Sequence, residues 1–227
     1  MLFKIFTLFP ELFPGALSAS ITGIALNKKL WQLEAINIRN YAADERKTVD
    51  DAPYGGGAGM VLKPDVIFDA LTKNHAKKII YLSPRGKKFT QAMAQELARE
   101  EEISILCGRY EGVDQRVIDE LEIEEISIGD YVLSGGEIAA FVFIDAILRN
   151  VDGVLGADES LMEESFCFAE NTEFKNLVEY PHYTRPAQWL GRSVPEILTS
   201  GNHKKISDWR LQQAIEMTKK NRPDLLK

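Results

Sequence analysis

Cysteine and histidine are scarce in this chain. Cys107 and Cys167 are its two cysteines among 227 residues, they do not form a C-x-x-C pair, and the three histidines are scattered. A structural zinc site needs about four such ligands at short spacings, and a disulfide framework needs several cysteine pairs, so the sequence predicts neither. This composition fits a protein of the reducing cytoplasm.

Long apolar runs are also missing. The uncharged stretch 138–144 is only seven residues long, whereas a membrane-spanning helix needs about 20. The apolar N-terminal segment is interrupted by Lys4 and followed at once by Pro10 and Glu11, which favours a buried opening strand over a signal peptide. We therefore expect no membrane partner.

Neither of the common phosphate-binding glycine motifs occurs. The chain contains no G-x-x-x-x-G-K-[ST] and no G-x-G-x-x-G sequence, and those spacings cradle triphosphates and dinucleotides. A nucleotide-hydrolysing enzyme is therefore disfavoured, because it would lack the phosphate-loop lysine.

Three loops that contain glycine each follow an apolar run. The runs 78–83 and 103–107 lead into loops at 84–86 and 108–112, and a third run ends in the glycine-rich segment 127–136. Unalternating, β-branched runs of this kind are typical of strands covered on both faces of a parallel sheet. Because ligands in open α/β sheets bind outside the carboxyl ends of the strands, we expect the three loops to line one pocket.

The segment 127–137 carries the strongest of these signals. It ends a predicted strand, crosses a loop with three glycines and opens a predicted helix. Glycines let main-chain N–H and C=O groups approach a ligand closely, and the first N–H groups of a helix have no partners within it. On glycine content alone, an ordinary tight turn between a strand and a helix remains the alternative.

Strand and helix patterns alternate through the first two thirds of the chain, which indicates a mainly parallel sheet. A further amphipathic helix is predicted over 202–221. The predicted strands lie near 2–9, 31–38, 78–83, 103–107 and 124–128, and the predicted helices near 64–74, 90–100, 115–121 and 135–149.

Seven segments resemble, in the same order, motifs of the bacterial tRNA (guanine-N1)-methyltransferase family, and the resemblance covers nearly the whole chain. The segments are Pro-Tyr-Gly-Gly-Gly-Ala-Gly-Met (53–60), Tyr-Leu-Ser-Pro-Arg-Gly (81–86), Cys-Gly-Arg-Tyr-Glu-Gly-Val-Asp-Gln-Arg (107–116), Ser-Ile-Gly-Asp-Tyr-Val-Leu-Ser-Gly-Gly-Glu (127–137), Gly-Val-Leu-Gly (153–156), Tyr-Pro-His-Tyr-Thr-Arg-Pro (180–186) and Leu-Thr-Ser-Gly-Asn-His (198–203).

This resemblance implies a fold, an architecture and an activity. The fold is α/β, with a trefoil-knotted parallel-sheet methyltransferase domain of the SPOUT type and a small C-terminal helical domain, in a homodimer whose subunits share active sites. The implied activity is S-adenosyl-L-methionine-dependent methylation of N1 of the guanosine immediately 3′ of the tRNA anticodon, at position 37, which supports reading-frame maintenance. The family also implies Mg²⁺, at a site that the sequence does not identify. A catalytically inactive RNA-binding module of the same fold is the alternative, and no other stable protein partner is predicted.

The charge distribution agrees with a tRNA partner, although the net charge is −7. Residues 1–157 carry 17 basic and 23 acidic side chains, residues 158–173 carry none and six, and residues 174–227 carry ten and five. We accordingly predict a cofactor-binding catalytic domain (1–157), a flexible acidic connector (158–173) and a helical tRNA-binding domain (174–227). A merely solvated basic face is the alternative for the last segment.

The resemblance also implies roles for individual residues. For the cofactor, it points to Tyr81, Leu82, Pro84, Gly108, Tyr110, Glu111, Ser127, Ile128, Gly129, Asp130, Tyr131, Val132, Leu133, Gly135 and Gly136. For the tRNA, we predict contacts from Gly55, Arg109, Glu111, His182, Arg185, Lys204, Lys205 and Arg210.

Two residues are implied to be catalytic. Arg149 aligns with the arginine that stabilises the substrate, and Glu164 with the general base, a position that is aspartate in the best-known members of the family. Without the family, Arg149 would simply favour a helix C-terminus, and Glu164 would be one solvated acid among several. Glu163 is a competitor for the role of base.

Overall fold

The computed structural model describes residues 1–155, 164–167 and 172–226. The chain divides into two compact units, Met1–Leu155 and Gly156–Lys227. The predicted boundaries after residues 157 and 173 stay predictions, because much of the predicted connector lies outside the described residues.

The first unit contains strands and helices in alternation, with three short 3-10 helices at Pro10–Leu12, Gly15–Ser18 and Ile38–Tyr41. In chain order, its elements are β1 (Leu2–Thr7), α1 (Ser20–Asn27), β2 (Gln32–Asn37), β3 (Asp50–Asp51), β4 (Val61–Leu62), α2 (Pro64–Lys73), β5 (Ile79–Lys88), α3 (Gln91–Leu97), β6 (Glu102–Leu106), α4 (Gln115–Glu120), β7 (Glu124–Ser127) and α5 (Gly136–Leu148).

Five of these strands form one parallel sheet in the order β2-β1-β6-β5-β7. Strands β3 and β4 pair separately as a small antiparallel ladder. In the large sheet β5 lies between β6 and β7, so the carboxyl ends of these three strands are neighbours. The predicted α/β fold with a parallel sheet is confirmed.

The sheet is covered on both faces. Phe3 and Ile5 of β1 belong to a core that includes Phe143 of α5 and residues of α1 and α3. Phe6 of the same strand belongs to a second core, with Ile67 of α2 and residues of α4. Since successive side chains of a strand point to opposite faces, burial on both sides explains why the strand sequences do not alternate.

The predicted strands correspond to β1, β2, β5, β6 and β7, and the predicted helices to α2 to α5, with ends that differ by a few residues. Helix α1 was not predicted. Strand β5 also runs further than expected, to Lys88, because its pairing with β7 shifts register between Leu82 and Lys87. Gly86 lies in this irregular part, where a Cβ would meet the backbone of Glu125 and Ile126.

The second unit has a small core of its own, formed by Phe174, Leu177 and Tyr180 against Ala214. In the described part of this unit the elements are β8 (Gln188–Trp189), β9 (Arg192–Ser193), α6 (Glu196–Thr199), α7 (His203–Asn221) and a 3-10 helix at Pro223–Leu226.

Helix α7 matches the helix predicted over 202–221. It begins after Asn202, whose side-chain oxygen accepts a hydrogen bond from the Lys205 amide at 3.2 Å, as is typical of an N-cap. Near its other end, the buried Thr218 hydroxyl accepts a hydrogen bond from the Val178 amide at 2.9 Å. No helix within the described ranges is long and apolar enough to cross a bilayer.

Candidate active site

The irregular part of β5 and the loops that follow β6 and β7 meet at one cavity of about 340 Å³. Its wall is formed by residues 81–85, 108–113, 126–129, 131–136 and 139. The strand order explains this, because the three strands are adjacent and end at the same edge of the sheet. The predicted convergence of the three loops is therefore seen in the structure.

Most of the residues predicted to bind a cofactor lie in the cavity wall. Asp130 is the exception, since its side chain is 92 % exposed and its Oδ2 lies 3.8 Å from Nζ of Lys88. Gly129, with φ of +151°, redirects the chain just before it. The predicted cofactor-binding residues that line the cavity are Tyr81, Leu82, Pro84, Gly108, Tyr110, Glu111, Ser127, Ile128, Gly129, Tyr131, Val132, Leu133, Gly135 and Gly136.

The turn after β7 is held by its own side chains. The Ser127 hydroxyl donates to the Gly129 carbonyl at 3.1 Å and accepts from the Gly129 amide at 3.3 Å. The Tyr131 hydroxyl donates to the Ile128 carbonyl at 3.3 Å. A Cβ at Gly129 would lie 2.5 Å from the Tyr131 ring, so glycine is needed both for the φ angle and for space.

The second and third loops touch through their backbones. The Gly136 amide donates to the Gly108 carbonyl at 2.9 Å, and a Cβ at Gly136 would lie 2.8 Å from Cα of Cys107. A Cβ at Gly108 would meet the Tyr81 ring at 2.7 Å. Side chains at these positions would force the loops apart and change the shape of the cavity.

Two buried groups near the cavity are held in their neutral forms. Burial raises the pKa of the Tyr81 phenol above its ordinary value, so it can serve as a hydrogen-bonding group without charge. Burial, reinforced by the charge of Glu137, raises the pKa of the Cys107 thiol well above its usual range. A thiol that remains protonated is a poor nucleophile, so Cys107 is not suited to covalent catalysis.

Below the loops lies a charged pair that the sequence did not reveal. Glu137, in the first turn of α5, is 1 % exposed. It accepts a hydrogen bond from the Thr7 hydroxyl at 2.7 Å and pairs with Nη2 of Arg109 at 2.9 Å. Arg109 also donates from Nη1 to the Ser134 carbonyl at 3.3 Å, and its guanidinium lies 4.4 Å from the centre of the Phe9 ring.

The comparisons with known proteins agree with this geometry. A model of the family described as tRNA (Guanine-1)-methyltransferase TrmD matches residues 1–227. The chain belongs to this family. The resemblance inferred from the seven motifs is confirmed.

Curated relatives cover nearly the whole chain, and each carries the name tRNA (guanine-N(1)-)-methyltransferase. The protein of Rhodospirillum rubrum is 54 % identical over 223 residues, which are 97 % of this chain and 90 % of the relative. That of Wolbachia pipientis wMel is 54 % identical over 98 % of this chain and 94 % of the relative. That of Alkaliphilus oremlandii is 51 % identical over 100 % of this chain and 92 % of the relative.

The TrmD-family residues predicted to be catalytic lie in different units. Arg149 directly follows α5 and is half-buried, and its amide donates to the Asp145 carbonyl at 3.2 Å. Glu164 is half-buried in the second unit, where its carbonyl accepts from the Cys167 amide at 3.2 Å. Their joint catalytic role stays a prediction, and Glu163 lies outside the described residues.

Of the residues predicted to bind tRNA, Arg109 and Glu111 line the cavity. Gly55 belongs to an exposed loop beside it, in which Gly55, Gly56 and Gly57 all have positive φ and a Cβ on any of them would meet no atom within 4 Å. Glu111 is tied to the end of this loop, because its amide donates to the Met60 carbonyl at 2.9 Å.

The other predicted tRNA contacts lie in the second unit. Lys204, Lys205 and Arg185 are exposed. Arg210 is partly buried, with its guanidinium 5.0 Å from the centre of the Tyr180 ring, so it contributes to packing in this unit. His182 is exposed, and its Nε2 lies 3.4 Å from Oε1 of Glu179.

Proposed function

We propose that this protein transfers the methyl group of S-adenosyl-L-methionine to N1 of guanosine at tRNA position 37, immediately 3′ of the anticodon. The observation that carries the proposal is a glycine-lined cavity at three adjacent strand ends, in a chain that belongs to the TrmD family. Methylation there would support maintenance of the reading frame. The knotted SPOUT arrangement of these loops is part of the same proposal, supported by membership of the TrmD family.

The cavity has the size and chemistry to hold the cofactor. Its volume of about 340 Å³ lies in the usual range of small-molecule sites, about 300–1,000 Å³. Main-chain groups of the 108–112 and 127–136 loops offer hydrogen bonds to an adenine edge, and Leu82, Ile128 and Leu133 offer apolar contact. The Glu111 carboxylate in the wall favours a positively charged ligand.

The reaction requires a base, stabilisation of charge and close positioning. Bound S-adenosylmethionine supplies a methyl group on a sulfonium centre. We assign Glu164 to removal of the weakly acidic N1 proton of the guanine. We assign Arg149 to stabilisation of the negative charge that develops on O6.

The family implies Mg²⁺, but we assign no residues to a magnesium site. Among the described residues, no group of three His, Cys, Asp or Glu side chains is arranged to hold a metal ion.

Nucleoside analysis tests the function. After incubation with S-adenosylmethionine and tRNA, mass spectrometry of the digested nucleosides should show 1-methylguanosine. A matched tRNA with adenosine at position 37 should stay unmodified. Binding of tRNA without binding of S-adenosylmethionine would instead favour the inactive RNA-binding module.

The basic C-terminal segment 174–227, which carries ten basic and five acidic side chains, is proposed to bind the body of the tRNA. Reversing Lys204 and Lys205 to Glu should weaken tRNA binding by roughly tenfold or more and reduce the salt dependence of log Kd by about 1 per lost phosphate contact. Affinity for S-adenosylmethionine should not change. Binding titrations at several salt concentrations measure both quantities.

A matched control reverses Lys219 and Lys220, which are exposed at the other end of α7. This control variant has the same net charge as the Lys204 and Lys205 variant, so any difference in tRNA binding between the two variants reflects the position of the reversed charges. Equal tRNA affinity and an equal salt slope in both variants would place the tRNA on another surface.

The homodimer is proposed because the first unit leaves apolar helix faces exposed. Ile21 and Ile24 of α1, and Ile138 and Val142 of α5, are each about half exposed. Spacings of three and four place each pair on one face of its helix. Exposed apolar patches mark interaction surfaces, and a second copy of this chain is the occupant that the family implies.

Mixing two inactive variants tests whether the sites are shared between subunits. A Gly129→Val chain damages the cofactor loop and a Glu164→Gln chain damages the base. If Glu164 acts on the partner's cofactor, half of the sites in a mixed dimer are intact. Random exchange should then restore activity to about a quarter of wild type.

Subunit exchange is checked independently with two differently tagged chains. If both residues serve the same subunit's site, every site in the mixture carries one lesion. Continued inactivity after verified exchange would therefore reject the shared site.

A further inference from the structure

We infer that Glu137 is a positioning residue for the cofactor cavity, acting through Arg109 on the loop at 134–136. Thr7, Arg109 and Glu137 together are called the clasp. The inference rests on the proposed cofactor site and adds to it a residue that does not touch the ligand.

The carboxylate of Glu137 is buried, with a hydrogen bond on one oxygen and an ion pair, without a hydrogen bond, on the other. Oε1 accepts from the Thr7 hydroxyl at 2.7 Å, and Oε2 lies 2.9 Å from Nη2 of Arg109. Thr7 is itself fully buried, and its hydroxyl also accepts from the Phe9 amide at 3.0 Å. Since a buried carboxylate is costly unless it is paired, both contacts are needed to hold it there.

Arg109 connects the buried Glu137 to a loop of the cavity wall. From the loop after β6, its Nη1 donates to the Ser134 carbonyl at 3.3 Å in the loop after β7. The guanidinium also fills the space beside Gly135, where a Cβ would collide with it. The clasp therefore joins the end of β1, the loop after β6 and the start of α5 around one side of the cavity.

Two simpler roles for Glu137 are distinguishable from this one. An acid in the first turn of a helix favours the helix dipole, but that effect needs neither burial nor Arg109. A buried ion pair can also be purely structural, and such a pair is often replaced by apolar residues without loss of stability. In that case the shape of the cavity would not depend on the charges.

Glu137→Gln keeps the size of the side chain and removes its charge. In the ligand-free protein, amide hydrogen exchange of the segment 127–137 should become about tenfold faster or more, because one charged anchor of the loop is lost. S-adenosylmethionine should bind roughly tenfold more weakly, since a smaller fraction of the protein holds the binding-competent loop. Calorimetry gives the affinity.

Glu102→Gln is the matched control. Glu102 pairs with Lys4 at 3.1 Å and is also largely buried, but it lies at the start of β6, at the end of the strand away from the cavity. This variant should lose stability while exchange of 127–137 and cofactor affinity stay at wild-type values.

The double variant Arg109→Met with Glu137→Leu separates positioning from stability. An apolar pair should restore the melting temperature, yet methionine cannot donate to the Ser134 carbonyl, so cofactor affinity should stay low. Recovery of both stability and affinity would overturn the proposal. So would exchange and affinity within about twofold of wild type in Glu137→Gln.

If Glu137→Gln does not fold, the variant Thr7→Val tests the inference through the same two measurements, hydrogen exchange of 127–137 and affinity for S-adenosylmethionine. It removes one anchor of the carboxylate and keeps the charge, so a change of about threefold or more in both is expected, and no change overturns the inference. The exchange measurement needs no ligand. A wild-type protein that fails to bind S-adenosylmethionine would therefore refute the proposed function, while exchange would still decide whether the clasp orders the loop.

Discussion

Gly129→Val should abolish measurable binding of S-adenosylmethionine, weakening it by about 100-fold or more. Valine is strained at the observed φ of +151°, and its Cβ would collide with the Tyr131 ring. Strain of this kind costs about 1–3 kcal/mol, and displacement of the loop would also remove main-chain contacts to the ligand. Calorimetric titration measures the loss, and cooperative thermal unfolding shows that the variant is folded.

Gly57→Val is the matched control for backbone strain. Gly57 also has positive φ, at +121°, but no atom lies within 4 Å of the position of its Cβ. Cofactor affinity should therefore change little. An undiminished affinity in folded Gly129→Val would place the cofactor site elsewhere in the molecule.

Glu164→Gln should lose methyl transfer while retaining both ligands. The amide has the shape of the carboxylate but cannot accept the N1 proton, and removal of a general base commonly lowers the rate by about 10²–10⁴-fold. Single-turnover measurements with saturating tRNA and S-adenosylmethionine isolate this step. The two dissociation constants should stay close to those of the wild type.

Glu164→Asp is the informative companion, because it keeps the carboxylate and introduces the residue that the resemblance implies at this position. It should remain partly active. A rate change of less than about fivefold in Glu164→Gln would instead point to Glu163, Glu111 or solvent as the base.

The clasp shows why some site residues were found from the sequence and others were not. The glycines of 127–136 were found because their spacing after an apolar run has a local physical meaning. Glu137 stands next to them, but an acid in the first turn of a helix is ordinary. Its sequence signal, an acid directly before the uncharged run 138–144, gained meaning only when its burial and its partners were known.

For Arg109 and Asp130, the sequence likewise did not predict the direction in which the side chain points. Arg109 was predicted to contact the tRNA, and the structure engages both of its terminal nitrogens, with Glu137 and with Ser134. Asp130 was predicted with the cofactor loop, and its side chain points to solvent beside Lys88. The predicted roles of both residues stay predictions, because motif position assigns a residue to a loop and does not say which way its side chain turns.

The sequence by itself determined the parallel α/β fold class, the positions of the five strands of the large sheet and the convergence of three loops at its carboxyl edge. These features follow from local properties, namely hydrophobic periodicity, β-branched runs and glycine spacing. Only the tertiary structure decided the irregular extension of β5 and the burial of Glu137 against Thr7 and Arg109. Thr7 and Glu137 are 130 positions apart in the chain, and their contact depends on the order in which the strands assemble, which local sequence patterns do not encode.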